Sequence, residues 1–272
     1  MNIPPYWVRE RRLICGKQVR LRGISVHSQQ DAEARLAERA RLWQEFLALP
    51  PSQADALRFQ ESLRQLDGLP EPYSAAILEP VEQQPDAQNI ITRNRYGCLV
   101  LNSVSLCFAD VDRFRAGFWA SLFGNKKKEE AALVAALRRL CAADESLSAR
   151  LYRTAHGWRV ILRGAGLTVG SAREEQLFEA VQCDKIYRKL CRSQLCWRAR
   201  LSPKPFYRGL KRYRQPANAQ LRAQEWVESY ERATAGVAVC RLLETFGPAL
   251  HDPMVELHDA VTLALKPDLE LG

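Results

Sequence analysis

The order of apolar and polar positions predicts a hairpin followed by helices at the start of the chain. Residues 7–12 and 17–26 alternate as strands do, and Cys15-Gly16 joins them. Ser28 precedes a stretch with apolar residues at helical spacing, which predicts a capped helix there and a second helix over residues 53–66. Residues 1–88 are therefore predicted to form an N-terminal ββα unit of α/β type.

Residues 89–214 show the densest succession of predicted elements. From residue 98 onward the predicted order is strand, strand, helix, strand, strand, helix, strand. This order indicates an α+β fold in which a small antiparallel sheet carries helices on one face. Helical periodicity continues through most of residues 215–272, so we expect C-terminal helices there.

Composition indicates a globular protein of the cytoplasm. The chain is 47% apolar and 26% charged, without a run of apolar residues long enough to span a bilayer. The first residues lack the charged and then apolar pattern of a signal peptide, and we expect no membrane association. The eight cysteines form no C-x-x-C pair, so they are expected to be reduced and mostly buried.

Positive charge is concentrated in one segment. Residues 185–214 contain eleven Lys and Arg and no Asp or Glu, whereas the whole chain has a net charge of +9. Basic helix faces usually interleave acids, so their exclusion indicates a phosphate ligand or an acidic partner. An inert basic surface is the alternative.

The segment Phe108-Ala-Asp-Val-Asp112 offers candidate metal ligands. Alternation along a strand places Asp110 and Asp112 on one face, about 6–7 Å apart. Two such carboxylates repel each other unless a cation lies between them, and Mg²⁺ or Mn²⁺ prefers oxygen ligands of this kind. Alternatively, both acids lie at a solvent-exposed strand end and pair with arginines.

Three later positions are candidate phosphate contacts, and a fourth is a candidate acid. Thr154 and His156 border a predicted turn, and Arg159 follows in the next strand, so that together they could contact phosphate. His156 is otherwise an ordinary turn residue. Asp184 is either a third carboxylate of the site or the N-cap of the next helix.

The strand predicted over residues 196–202 presents two arginines side by side. Alternation directs Arg198 and Arg200 to one face and Trp197 to the other, and two neighbouring guanidinium groups form a fork for phosphate. Beyond it, residues 206–214 alternate basic and aromatic side chains, a pattern compatible with contacts along a nucleic-acid strand.

Taken in chain order, these features are similar to the three motifs of the archaeo-eukaryotic primase, or primase–polymerase, superfamily. The resemblance covers about residues 98–204 and implies an RRM-like palm that binds Mg²⁺ or Mn²⁺ through Asp110, Asp112 and Asp184. It implies a nucleotide contact by His156. The implied triphosphate or template contacts are Arg192, Arg198, Arg200 and Lys204. One feature departs from the family pattern, since the third acid there belongs to a strand and Asp184 looks like a helix cap.

A longer resemblance spans nearly the whole chain. Ile3-Pro-Pro-Tyr-Trp7, Phe108-Ala-Asp-Val-Asp112 and Arg198-Ala-Arg-Leu-Ser-Pro-Lys-Pro205 are similar to segments of a bacterial protein family that has no assigned activity. The leading hypothesis is therefore a primase–polymerase-like, metal-dependent nucleotidyltransferase acting on nucleotides or nucleic acid. A non-catalytic nucleic-acid-binding module with an RRM-like sheet is the second. An interaction protein that binds an acidic partner through its basic face is the third.

Overall fold

The computed structural model describes residues 3–4, 6–48, 52–67, 79–80, 86, 88–94, 98–112, 126–205, 209 and 228–272. Its strands are β1 (Tyr6–Ile14), β2 (Lys17–Ser25), β3 (Glu79–Pro80), β4 (Asn89–Arg93), β5 (Leu99–Ser103), β6 (Cys107–Asp112), β7 (Ser148–Thr154), β8 (Gly157–Arg163), β9 (Trp197–Arg200) and β10 (Cys240–Phe246). Its helices include α1 (Gln29–Ala48), α2 (Gln53–Asp67), α3 (Lys126–Ala143), α4 (Ala172–Ala180), α5 (Lys185–Gln194) and α6 (Pro253–Thr262).

The N-terminal hairpin and its helices form as the pattern predicts. Strands β1 and β2 pair antiparallel, and both Cys15 and Gly16 have positive φ at the turn between them. Ser28 caps α1 by accepting a hydrogen bond from the backbone N–H of Asp31 at 3.1 Å. One separate apolar cluster joins the hairpin to both helices through Ile14, Val19, Leu21, Leu36, Ala40, Trp43 and Phe59.

The strands described after α2 form two four-stranded antiparallel sheets, with strand orders β10-β7-β8-β6 and β3-β4-β5-β9. Strand β8 lies between β6 and β7, and α3 connects those two strands, which is a split βαβ arrangement. The predicted α+β class with an antiparallel sheet is confirmed.

The first of these sheets has two differently covered faces. Register pairs Asp110 with Arg159 and Arg159 with Tyr152, so these side chains share one face, called here the Asp110 face. Trp158 points to the other, the Trp158 face, where its Nε1 donates to Glu130 of α3 at 2.9 Å. Helices α4 and α5 also lie on the Trp158 face, because Glu174 and Cys191 neighbour Cys107, whose side chain alternates with that of Phe108.

The C-terminal part of the chain differs from the helical prediction. Residues 240–246 form β10, which pairs with β7 at the outer edge of the sheet. Helix α6 follows and packs on the Asp110 face, where the ring of His258 lies 5.0 Å from that of Tyr152 and 5.8 Å from that of Phe108. Helices therefore lie on both faces of this sheet.

Strand β9 runs beside β6 and joins the two sheets through a side chain. The hydroxyl of Tyr187 lies 2.8 Å from the carbonyl oxygen of Phe108 and 2.9 Å from that of Arg198. It also accepts a hydrogen bond from the backbone N–H of Arg198 at 3.1 Å. Tyr187 thus supplies the hydrogen bonds that a direct strand pair would make, and it aligns β9 with the strand that carries the two aspartates.

All eight cysteines are free thiols, and seven of them are buried, as expected. Among the described residues, no helix has the length and apolar character that crossing a bilayer requires. The basic and aromatic alternation predicted over residues 206–214 falls outside the described residues except at Gly209.

Candidate phosphate and metal site

Two carboxylates mark the end of β6 on the Asp110 face. Asp110 pairs in register with Arg159, and Asp112 pairs with Gly157 at the start of β8. The side chain of Asp110 is 40% exposed, and Asp112 is exposed. Gly157 is required at this point because a Cβ there would collide with the carbonyl oxygen of Val111. Both acids are therefore accessible at one strand end.

Arg159 is buried beneath the two acids. Its Nε donates to Oδ1 of Asp110 at 3.3 Å, and its Nη1 donates to the carbonyl oxygen of Arg200 at 2.8 Å. Burial disfavours the charge, but the pKa of Arg159 is nevertheless raised because Asp110 stabilises the charged form. With 1% of its side chain exposed, Arg159 holds Asp110 and β9 in place and has no surface to offer a phosphate, in contrast to its predicted role.

A second layer of polar groups supports Arg159 from α6. His258 places its Nε2 3.2 Å from Nη1 of Arg159, and its Nδ1 lies 3.0 Å from Oδ1 of Asp259. Asp259 in turn pairs with Arg150 at 3.0 Å. Burial lowers the pKa of His258 to about 4, and the charge of Arg159 contributes to the lowering. His258 is therefore neutral near pH 7, which allows Nε2 to accept from Arg159 while Nδ1 donates to Asp259.

This histidine should make stability depend on pH. Because the pKa of His258 is lower in the folded than in the unfolded protein, its contribution is complete above about pH 6.5 and is lost as pH falls toward 4. We expect the free energy of unfolding to fall by about 2 kcal/mol between pH 7 and pH 5 because of His258. Urea unfolding of the wild type and of His258→Gln at both pH values measures the difference.

The exposed His251 provides the matched control, since His251→Gln should leave the pH dependence of the wild type unchanged. If His258→Gln loses as much stability on acidification as the wild type does, His258 is not buried in its neutral form.

Arg198 and Arg200 alternate with Trp197 along β9, so their side chains point to the opposite side of the strand from that residue. Trp197, which alternates with them, points toward α4 and donates its Nε1 to Glu174 on the opposite side. Nε of Arg198 is fixed by Oδ1 of Asn102 at 3.0 Å. Both arginines are half-buried, and within the described part of the chain neither forms an ion pair, while Nε of Arg200 is buried without a hydrogen-bond partner. Incompletely paired guanidinium groups of this kind favour an anionic ligand.

The turn after β9 brings a third cation to this surface. Ser202 and Pro203 are anchored by the buried Tyr230, whose hydroxyl lies 2.6 Å from both Oγ of Ser202 and the carbonyl oxygen of Pro203. Lys204 follows directly and is half-buried. Burial lowers the pKa of Lys204 and Arg200 adds to the lowering, whereas Asp112 and Asp110 oppose it. Lys204 therefore interacts electrostatically with Arg200, Asp110 and Asp112. These four charged side chains, together with Arg198, which alternates with Trp197 along β9 as Arg200 does, are named here the Asp110–Lys204 cleft.

His156 and Thr154 lie at the same end of the sheet. His156 is exposed in the turn between β7 and β8, one residue before the glycine that pairs with Asp112. Thr154 ends β7 on the Asp110 face and is half-buried. Both positions therefore lie at the end of the sheet where Asp112 ends β6.

Two predicted residues lie apart from the cleft. The carboxylate of Asp184 caps α5 by accepting from the backbone N–H of Tyr187 at 2.7 Å, although its own N–H donates to the carbonyl oxygen of Asp110. Arg192 belongs to α5 on the Trp158 face, where it pairs with Glu175 at 3.0 Å. Among the described cations of the basic segment, Arg192 thus lies on the Trp158 face, whereas Arg198, Arg200 and Lys204 belong to the cleft.

The donor set of the cleft suits a cation that arrives with phosphate. Among the described residues no group of three or more His, Cys, Asp or Glu side chains could hold a metal, so Asp110 and Asp112 stand without the third predicted ligand. Magnesium usually binds through one or two carboxylates together with substrate phosphates and water. Asp110 and Asp112 supply two accessible carboxylates, and Arg200 and Lys204 are the nearby cations that would bind the phosphate.

Sequence reasoning missed the residues that support the cleft. His258, Asp259 and Tyr230 come from the C-terminal region, and no local pattern links them to β6 or β9. Arg159 did carry a signal, because it interrupts the apolar run Trp158-Arg-Val-Ile-Leu162. An arginine inside a buried strand requires buried partners.

Comparison with protein-family models, with curated proteins and with solved structures finds no match to this chain.

Proposed function

We propose that the Asp110–Lys204 cleft binds the phosphates of a nucleotide or nucleic acid and catalyses metal-dependent nucleotidyl transfer of the primase–polymerase type. The observation that carries this proposal is that Asp110 and Asp112 interact electrostatically with Lys204, which also lies near the half-buried Arg200, whose Nε is buried without a hydrogen-bond partner among the described residues. Arg198, Arg200 and Lys204 neutralise phosphate charge. A divalent cation supplies further neutralisation and activates a 3′-hydroxyl when it is bound.

Each acid has a distinct part in this proposal. Arg159 fixes one oxygen of Asp110, whose side chain remains 40% exposed and so can reach a ligand. Asp112 lies at the strand end, where its carboxylate reaches solvent. His156 precedes the glycine that pairs with Asp112, so it lies at the same end of the sheet as the acids. The primase resemblance suggests that it contacts the bound nucleotide from this turn.

We expect Mn²⁺ and a nucleoside triphosphate to stabilise the protein cooperatively. Two carboxylates alone hold the cation weakly, so the melting temperature should rise more with both ligands together than the sum of the separate increases. Asp112→Asn is the cleanest test, because Asp112 is exposed whereas an Asp110 variant would also unpair Arg159. Asp112→Asn should abolish the cooperative part of the increase in melting temperature and keep the increase that the triphosphate alone produces.

Transfer itself is measured by extension of a labelled primer or by dinucleotide synthesis. The wild type should form product with Mn²⁺, and Asp112→Asn should form at least 100-fold less. A purely additive effect of the two ligands, or equal product from both proteins, would rule out catalysis at these acids.

Non-catalytic nucleic-acid binding is the second candidate, and the engagement of Asp110 by Arg159 favours it. On this alternative Asp110 is a structural residue and the cations alone bind phosphate. Oligonucleotide affinity would then be independent of Mn²⁺ and of Asp112→Asn.

A further inference from the structure

Helix α5 presents a second surface that is separate from the cleft. Its inner face is buried through Tyr187, Cys191 and Gln194, on the Trp158 side of the sheets. Its outer face carries two aliphatic side chains one turn apart, Ile186 at 72% exposure and Leu190 at 40%. We call this outer face the α5 surface.

Basic residues form a row beside these aliphatic side chains. Lys185, Lys189 and Arg192 recur at spacings of four and three residues, so they lie along one line of the helix. Arg192 forms an ion pair with Glu175 of α4, and Arg188 pairs with the same glutamate. Lys185 and Lys189 are exposed and form no ion pair within the described ranges. The α5 surface therefore combines an apolar stripe with uncompensated positive charge.

From this combination we infer that α5 docks an acidic amphipathic helix of a partner protein. Ile186 and Leu190 match the spacing at which one helix packs its apolar side chains against another. Lys185 and Lys189 match glutamates or aspartates flanking the partner's apolar stripe. The surface is a single helix face, so it fits a short helical segment and not the broad interface of a stable domain pair.

The same chemistry disfavours other ligands. Nucleic acid would be matched by aromatic or polar groups between the cations, and aliphatic side chains give it no stacking partner. A helix that binds an anionic bilayer inserts a wide apolar face, whereas the wide apolar face of α5 is already buried in the protein.

The test uses a fluorescein-labelled, 18-residue helical peptide with leucine at heptad positions a and d and with glutamate and alanine elsewhere. Its control has the same composition with the leucines spaced so that no apolar stripe forms. By fluorescence anisotropy, the wild type should bind the striped peptide at least 10-fold more tightly than the control. Ile186→Ser with Leu190→Ser, and separately Lys185→Glu with Lys189→Glu, should each weaken this binding at least 10-fold without a change in melting temperature.

Several outcomes would overturn the inference. Equal binding of both peptides, or unchanged binding by the double serine variant, would leave only non-specific charge attraction. Competition by a single-stranded oligonucleotide, or attachment to phosphatidylglycerol vesicles through Ile186 and Leu190 in place of peptide binding, would assign the surface to a different ligand. Arg198→Ala with Arg200→Ala should bind the striped peptide normally, so failure here and failure of the proposed function at the cleft can be told apart.

Discussion

Replacing Arg159 by alanine is expected to lower the free energy of unfolding by about 4 kcal/mol. The substitution leaves a cavity in the sheet and removes the donor for the carbonyl oxygen of Arg200 and for Nε2 of His258. Cavities of this size cost about 2–5 kcal/mol, and each buried acceptor left unpaired costs about 1–3 kcal/mol. Relief of the desolvation of the guanidinium group offsets part of this loss. Urea unfolding at pH 7 measures the result.

Two variants separate the causes. Arg159→Met keeps most of the side-chain volume, so it should cost about half as much and isolate the lost hydrogen bonds. Arg138→Ala removes an arginine from an exposed pair with Glu244 and should cost under about 1 kcal/mol. A loss below 1 kcal/mol for Arg159→Ala would show that the buried network does not stabilise the fold.

Neutralising Arg198 and Arg200 together is expected to weaken binding of a 12-nucleotide single-stranded DNA by at least about 100-fold. Each arginine should contribute a charge-assisted hydrogen bond to phosphate, worth about 1.5–3 kcal/mol. Removing two phosphate contacts should also reduce the slope of log affinity against log salt by about 1.4. Fluorescence anisotropy over a range of salt concentrations measures both quantities.

The matched control removes the same charge from the other side of the sheets. Lys185→Ala with Lys189→Ala also deletes two cations of the basic segment, but on the α5 surface. We expect it to change oligonucleotide affinity less than 3-fold. If the two double variants weaken binding equally, total charge and not the cleft determines affinity.

Local patterns were sufficient for the elements that carry the acids. Alternation predicts Asp110 and Asp112 on one face, as the register shows. For Asp184 the sequence left two alternatives, a third metal ligand or a helix N-cap, and the side chain caps α5. The residues that decide the surroundings of those acids are distant in sequence. Arg159 contacts groups that are 49, 41 and 99 residues away, and no local pattern specifies such distances.

The structure differs from the sequence-based predictions at two further places, each for a physical reason. The apolar residues around Cys240–Phe246 fit helical spacing as well as strand alternation. They form a strand because they pair with β7, and this pairing depends on tertiary structure, which local sequence does not specify. In the sequence, residues 185–214 form one continuous basic segment. In the structure the chain passes from α5 to β9 through Leu195, so the described cations of this segment lie on both sides of the sheets.

The late position of β10 and α6 in the chain has a consequence for biosynthesis. A ribosome reaches His258 99 residues after Arg159, which at ordinary elongation rates is roughly 5–20 s later. Until residues 240–246 have also been made, the outer side of β7 lacks the strand that it pairs with in the native sheet, and the nascent chain is open to pairing with other polypeptides. Translation speed over this stretch, together with chaperone capture, should therefore govern how much of the newly made protein reaches its native state.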